Sequence, residues 1–156
     1  MNRDIHFIRL IESLKNNSWA KHTPVYIALD YPPSAKYIDG YNKISKYLEG
    51  DFSMFMEFNV YRRKENYGSA RNMLELREEV LRKYDRFIRT DDDAEFSPNF
   101  LEYMNKCLEK YKDDPEIIAV TGYSYPIKWK ISESATVLKE NSMNKKRVLA
   151  LLLSLI

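Results

Sequence analysis

The chain has 156 residues, a length typical of one domain that can bury a core of its own. Its 25 Lys and Arg residues nearly balance its 23 Asp and Glu residues, which argues against a dedicated binder of nucleic acid or another polyanion. A single cysteine excludes an intramolecular disulfide framework and a cysteine-rich zinc module. Aromatic residues make up 13% of the chain, which argues against disorder.

The first part of the chain alternates between helical and extended patterns. Apolar residues recur at helical spacing over 4–16, which predicts a first helix. The short apolar run 24–29 ends at an aspartate and predicts a buried strand. Apolar spacing over 37–48 predicts a second helix with Gly50 as its end signal, and the Phe-, Val- and Tyr-rich segment 52–62 predicts a second strand.

The same alternation continues toward the C-terminus. Residues 73–84 predict a third helix, and the strand predicted over 86–90 runs directly into three aspartates. A fourth helix is predicted to start with Ser97 as its N-cap and Pro98 as its first residue. A further strand is predicted over 117–120. Strands that alternate with helices of this length predict an α/β fold with a mostly parallel sheet.

The C-terminal segment has an unusual composition. The basic residues of 143–147 are followed by an almost wholly aliphatic run, Val148 to Ile156, which is far shorter than the ~20 residues of a membrane span. We expect a short terminal helix packed on the core, with a weak membrane-surface contact as the alternative. The N-terminus has no apolar signal segment, so the expected location is cytoplasmic, with membrane association through the tail as the alternative.

Two predicted strands end in acidic residues, at Asp30 and at the run Asp91-Asp92-Asp93. Ligands of parallel α/β sheets bind beyond the carboxyl ends of the strands. Asp91 and Asp93 would project to the same side if the backbone stays extended, and two carboxylates on one side suit Mg²⁺ or Mn²⁺. Such an ion could hold a diphosphate. A solvated acidic turn is the alternative for this run.

A calcium-binding module is a remote alternative, because oxygen-bearing residues fall at the spacing of a calcium loop. Phe96 replaces the glycine that such a loop needs for its sharp turn, and a strand is predicted where a helix should precede the loop. The residues that match the spacing are Asp91, Asp93, Glu95, Ser97, Asn99 and Glu102.

Several segments resemble GT-A glycosyltransferases, in the order and spacing of that family. Residues 87–100 resemble its acidic "DXD" segment, most closely that of family 2 and of the N-acetylglucosaminyltransferase that begins complex N-glycans. Residues 66–72 resemble the "N-x-G-x-x-x-N" segment, and 26–30 resemble the second strand with its nucleotide-contacting Asp. Asn2-Arg3 resembles the "NR" after the first strand, and 118–123 also fits the family.

The resemblance implies a Rossmann-like GT-A fold, with a nucleotide-sugar-binding domain over 1–126 and an irregular tail with a short apolar helix over 127–156. It implies a glycosyltransferase of glycan biosynthesis that uses a nucleotide-diphospho-sugar donor, a UDP-sugar first of all, with Mn²⁺ or Mg²⁺. The second substrate would be a saccharide or glycoconjugate acceptor. No nucleic-acid partner is expected.

For nucleotide binding, the resemblance implies three residues. Asp30 would accept a hydrogen bond from a uracil-type base, Arg3 would lie against the base or ribose, and Arg71 would support the nucleotide pocket. The ring N–H of uracil suits a carboxylate, whereas the corresponding cytosine nitrogen carries a lone pair, so UDP should be preferred to CDP.

For the acidic run, the resemblance implies Asp93 as the direct metal ligand, with Asp91 as a further candidate ligand. Asp91 or Asp92 would reach the ribose or a metal-bound water. A divalent ion would neutralise the charge that grows on the diphosphate leaving group. No motif after Tyr125 supports a catalytic base, so none is assigned.

The sequence also departs from the family. Members begin with an apolar strand before "NR", where this chain has Met1, and they continue well beyond the acidic segment. We therefore expect a domain clipped at both ends, without the first strand or the acceptor half. The strands that end at Asp30 and Asp91 would then lack their common neighbour. A non-catalytic nucleotide-sugar-binding remnant is the alternative function.

Overall fold

The structure, a computed structural model, describes residues 3–117, 119–122 and 150–155. This part of the chain is a mixed α/β domain in which helices and strands alternate, as the sequence pattern predicts. Two single-turn 3-10 helices, Ala20–His22 and Ala35–Tyr37, lie in the connections. The main elements are α1 (Asp4–Lys15), β1 (Pro24–Leu29), α2 (Ile38–Tyr47), β2 (Glu57–Arg62), α3 (Gly68–Leu81), β3 (Phe87–Thr90), α4 (Phe100–Lys110) and β4 (Ala150–Leu155).

The four strands form one parallel sheet in the order β2-β1-β4-β3. Strand β1 pairs with β2 from Pro24 opposite Glu57 to Leu29 opposite Arg62. Because all neighbouring pairs are parallel, the carboxyl ends of the strands meet at one edge, which we call the carboxyl edge. The predicted parallel α/β architecture is confirmed at this level.

The C-terminal segment differs from two expectations. The tail was expected to form a short helix, but Ala150–Leu155 is a strand, and it lies between β1 and β3 and pairs with both. Strands β1 and β3 therefore have a common neighbour. Periodicity alone does not separate a short apolar helix from a buried strand, and a central parallel strand is usually an unbroken apolar run. The rest of the predicted tail, 127–149, lies outside the described residues.

Helices cover both faces of the sheet. All six residues of β1 are buried, and they alternate between the two faces. Tyr26 and Ala28 pack with Leu76 and Val80 of α3 on one face. On the other face, the core is formed with α1, α2 and α4 by Val25, Ile27, Leu29, Phe7, Leu10, Ile11, Leu14, Ile44, Leu101 and Met104.

The start of α4 differs from its prediction. The helix begins at Phe100, its N-cap is Asn99, and the hydroxyl of Ser97 bonds the Asn99 side chain at 2.9 Å. The amide of Leu101 is instead satisfied by Oδ1 of Asn17, at 2.9 Å. A distant side chain therefore caps this helix, which local sequence signals do not reveal.

The strand predicted over 117–120 is not formed by its described residues, 117, 119 and 120. None of the described strands pairs with residues 117, 119 or 120, so this apolar run lacks the neighbour that a strand needs. Among the described residues, no helix is both long and apolar enough to cross a membrane.

Candidate functional site

The fold brings the predicted site residues to the carboxyl edge. The loop after β1 starts with an aspartate, the loop after β3 carries the acidic run, and α3 begins shortly after β2. Arg3, the N-cap residue of α1, contacts the acidic run, so this helix also starts at the carboxyl edge. The residues concerned are Arg3, Asp30, Arg71, Asp91, Asp92 and Asp93.

Arg3 binds two carboxylates of the acidic run. Its Nη1 lies 2.8 Å from Oδ2 of Asp93 and 3.2 Å from Oδ1 of Asp92. The Asp92 side chain is 14% exposed and the Asp93 side chain 49% exposed. Burial raises the pKa of Asp92, Asp93 raises it further, and the positive charge of Arg3 opposes both effects. The two carboxylates therefore share one positive charge, and the more exposed of them faces solvent.

Asp91 is separated from this pair. Its side chain is 75% exposed, and its ion pair is with Arg89, at 3.8 Å. The extended backbone assumed for the run ends at Thr90, and Asp92 and Asp93 lie in a turn. The expectation that Asp91 and Asp93 project to the same side required an extended backbone, and this condition is not met because the strand ends at Thr90.

The acidic run is compatible with a partial cation site. Within the described residues, no group of three or more His, Cys, Asp or Glu side chains is placed to hold a metal. Asp92 and Asp93 nonetheless converge on one cationic group, the guanidinium of Arg3, and a divalent ion bound there would complete its shell with phosphate oxygens and water. The strand β3 before Asp91 also leaves no incoming helix for an EF-hand.

Asp30 is fully buried, and its carboxylate is surrounded by donors. Oδ1 accepts hydrogen bonds from the amides of Tyr31, at 2.9 Å, and Tyr67, at 2.8 Å. Oδ2 accepts from the amide of Gly68, at 2.9 Å, and from Nδ2 of Asn66, at 3.2 Å. A carboxylate offers about four acceptor positions. The predicted hydrogen bond from a base to Asp30 would have to displace one of these donors.

Arg71 stacks on an aromatic ring at the start of α3. Its guanidinium lies 3.6 Å from the ring centroid of Tyr67 and bonds Glu75 at 2.9 Å. The Arg71 side chain is 54% exposed, so it can reach a ligand at the carboxyl edge. Stacked guanidinium groups remain able to donate hydrogen bonds in their plane, which suits phosphate.

Arg63 and Tyr67 also lie at this edge, although neither is among the predicted site residues. The basic run 62–64 near Tyr67 fits a charged strand exit or a nucleotide diphosphate better than nucleic acid. The guanidinium of Arg63 lies 5.0 Å from the same ring, donates to Oδ1 of Asn72 at 2.8 Å and lies 3.3 Å from Glu75. Its Nη2 is buried without a hydrogen-bond partner among the described residues. A basic run near an aromatic residue is a weak signal in the sequence, because the start of helix α3 is what brings the arginines to the ring.

Comparison of the chain with family models, with curated proteins and with solved structures found no match. The fold and the site together define a parallel α/β domain whose carboxyl edge combines a carboxylate pair with exposed arginines. Its function is therefore inferred from the chemistry of that edge and from the sequence segments that form it.

Proposed function

We propose that this chain is the nucleotide-diphospho-sugar-binding domain of a GT-A type, family 2-like glycosyltransferase. Its donor would be a UDP-sugar, and it would work with Mn²⁺ or Mg²⁺ on a saccharide or glycoconjugate acceptor. The observation that carries the proposal is the Asp92–Asp93 pair, two carboxylates that converge on the guanidinium of Arg3 at the carboxyl edge of a parallel sheet. The order of the sequence segments that resemble this family supports the same assignment.

In this proposal, the acidic run would hold the divalent ion. Asp93 is the accessible carboxylate of the pair and would be the direct ligand. Asp92 is largely buried and would orient the site or reach a metal-bound water. The exposed Asp91 would reach the ribose or contribute a further oxygen. When bound, the ion would neutralise the charge that grows on the diphosphate leaving group.

The arginines of the carboxyl edge would bind the nucleotide. Arg3 is held beside the acidic pair by two ion pairs, and its remaining donors would contact a ribose or base. Arg71 stacks on Tyr67 and is half-exposed. Its Nε bonds Glu75 at 2.9 Å and its Nη1 lies 3.6 Å from Glu65, so its remaining donors would bind a diphosphate oxygen. Guanidinium groups bind phosphate with two parallel hydrogen bonds, which gives direction as well as charge.

Calorimetry of UDP binding, with and without Mn²⁺, tests this proposal. A metal that bridges carboxylate and diphosphate must raise the affinity for UDP, and we expect about tenfold or more, because coupling free energies are typically 1–3 kcal/mol. Asp93→Asn should remove most of this coupling and Asp92→Asn less. Asp113→Asn, at an exposed acid beyond α4, is the matched control and should leave the coupling unchanged. Equal affinity for UDP in both conditions would contradict the metal role.

Turnover then separates an enzyme from a binding remnant. Release of UDP from a panel of UDP-sugars, with Mn²⁺ and candidate acceptors, measures transfer and hydrolysis directly. Coupled binding of UDP and Mn²⁺ with no release of UDP from any sugar would favour the non-catalytic alternative.

A further inference from the structure

We infer that Asp30 is a positioning residue of the nucleotide site: its buried carboxylate holds the Asn66–Gly68 loop and the start of α3, and it does not read the base. The inference rests on the proposed nucleotide site and changes the role that the resemblance implies for this residue. Its basis is the set of four donors that converge on the Asp30 side chain, which is 0% exposed.

The carboxylate is satisfied without a ligand. A buried charge is tolerated only where hydrogen bonds or an opposite charge replace water, and here three backbone amides and one side-chain amide do so. Asn66 strengthens the arrangement, because its Nδ2 also donates to the carbonyl of Tyr31 at 2.6 Å. A uracil N–H can reach Asp30 only if one of these donors leaves and the loop opens.

The backbone around Gly68 is shaped for an anion. Tyr67 has a right-handed conformation, with φ −89° and ψ −23°, and Gly68 has a φ of +71°. Successive amides in such a sequence of conformations point into one concave anion-binding nest. These amides also belong to the N-terminus of α3, where donors lack partners within the helix and negative charge is favoured. The anion in this nest is the carboxylate of Asp30.

The position of Arg71 depends on this arrangement. The amide that Asp30 holds at 2.8 Å belongs to Tyr67, and the ring of Tyr67 carries the guanidinium of Arg71 at 3.6 Å. Arg71 itself lies in the first turn of the helix whose start Asp30 fixes. Loss of the carboxylate should therefore weaken contacts with every nucleotide that Arg71 binds, and it should not change the choice between uracil and cytosine.

Two measurements on Asp30→Asn and Asp30→Ala test the inference. The first is the affinity for UDP and for CDP with Mn²⁺, and the second is hydrogen exchange at the amides of Tyr67 and Gly68 without any ligand. Asp30→Asn retains one oxygen and should be the milder variant. Asp30→Ala should weaken both nucleotides by a common factor of about tenfold and speed exchange at both amides by about tenfold or more, because their buried partner is lost. The ratio of the UDP and CDP affinities should stay within about twofold of wild type.

Ile44→Ala is the control for global destabilisation. Ile44 is a fully buried core residue of α2 whose apolar side chain makes no hydrogen bond at the site. At a temperature where it stays folded, this variant should leave the UDP affinity and the exchange of the two amides unchanged. Asp30→Ala should change both at the same temperature.

The outcomes separate this inference from the proposed function. A selective loss of UDP over CDP in Asp30→Ala, with unchanged exchange at Tyr67 and Gly68, would overturn the inference and restore the base-reading role. If wild type binds neither nucleotide, the proposed function fails, and the exchange measurement alone decides whether Asp30 holds the loop. Unchanged exchange would then overturn the positioning role, and faster exchange would support it.

Discussion

Asn17, just beyond the end of α1, joins this helix to the segment after the acidic run. Its side chain is buried, with 6% of the residue exposed. Its Oδ1 accepts the amide of Leu101 at 2.9 Å, and its Nδ2 donates to the carbonyls of Ser13, at 3.0 Å, and Ser97, at 3.1 Å. One amide group therefore caps α4 and ties it to the end of α1. Asn17→Ala removes all of these hydrogen bonds together.

The loss of stability in Asn17→Ala can be estimated from these hydrogen bonds. A hydrogen bond in a folded protein contributes about 1 kcal/mol, and loss of an N-cap costs a similar amount. For Asn17→Ala we expect the free energy of unfolding to fall by about 2–3 kcal/mol, because the amide of Leu101 is left buried without its acceptor. For a chain of this size that corresponds to a fall in Tm of about 4–12 °C.

The adjacent asparagine supplies the control. Asn16 is the exposed C-cap of α1, and its Nδ2 donates to the carbonyl of Glu12 in that helix. Asn16→Ala should change the free energy of unfolding by less than about 0.5 kcal/mol. Urea unfolding followed by far-UV circular dichroism measures both variants. Equal and small effects of the two substitutions would refute the proposed link between α1 and α4.

Three further predictions concern the backbone, the central strand and alkaline pH. Gly68→Ala should destabilise the protein by about 1–2 kcal/mol in thermal unfolding, because Gly68 has a φ of +71°. In the described part of the chain, no atom beyond the adjacent residues and the local helix backbone lies within 4 Å of the Cβ that alanine would add, so the expected cost is backbone strain. Leu153→Pro should cost about 3 kcal/mol or more in urea unfolding, since Leu153 pairs with both Ile27 and Thr90 and proline removes a ladder donor. Tyr84→Phe should reduce the loss of Tm at high pH. Burial and a hydrogen bond with Tyr26 raise the pKa of Tyr84 to about 12, so this group's contribution to stability is full below its ordinary pKa near 10 and is lost as pH rises toward 12.

Each of these predictions has a matched comparison. Ser69→Ala, at the next position of α3, should cost far less than Gly68→Ala, and an equal cost would contradict the strain argument. Leu153→Val keeps an apolar strand-forming residue and should cost less than about 1 kcal/mol. If Leu153→Pro left the free energy of unfolding unchanged, the placement of β4 between β1 and β3 would be contradicted. Tyr31 has an exposed ring, and Tyr31→Phe should leave the dependence of Tm on alkaline pH as in wild type. If Tyr84→Phe also showed the wild-type dependence, the role given to Tyr84 would be contradicted.

The alternating architecture was predictable because its signals are local. The apolar run of β1 stops at Asp30, and that of β3 stops at the acidic run, so both loops at the carboxyl edge were placed correctly. The strand β4 was not predictable from its own residues, since a six-residue apolar run suits a helix or a strand equally well. Its conformation depends on the gap between β1 and β3, which exists only once those strands are arranged.

The candidate site was predictable by location and less so by role. The acidic run and Asp30 were both expected at one edge, and they lie there. The donors to Asp30 come mostly from residues 66–68, more than thirty positions along the chain, so their convergence could not be read from the sequence. The shared contact of Asp92 and Asp93 with Arg3 also depends on where strand β3 ends, and propensity places such boundaries poorly.

The central claim is that the carboxyl edge binds a nucleotide diphosphate together with a divalent ion, and paramagnetic broadening by Mn²⁺ tests it most directly. In a spectrum of the backbone amides recorded with UDP, substoichiometric Mn²⁺ should first broaden residues 91–94 and then the amides near Arg3 and Gly68, because broadening falls steeply with distance. The broadening should weaken strongly when UDP is omitted and in Asp93→Asn. Broadening centred instead on the acids around the end of α4, or broadening that is the same with and without UDP, would contradict the claim.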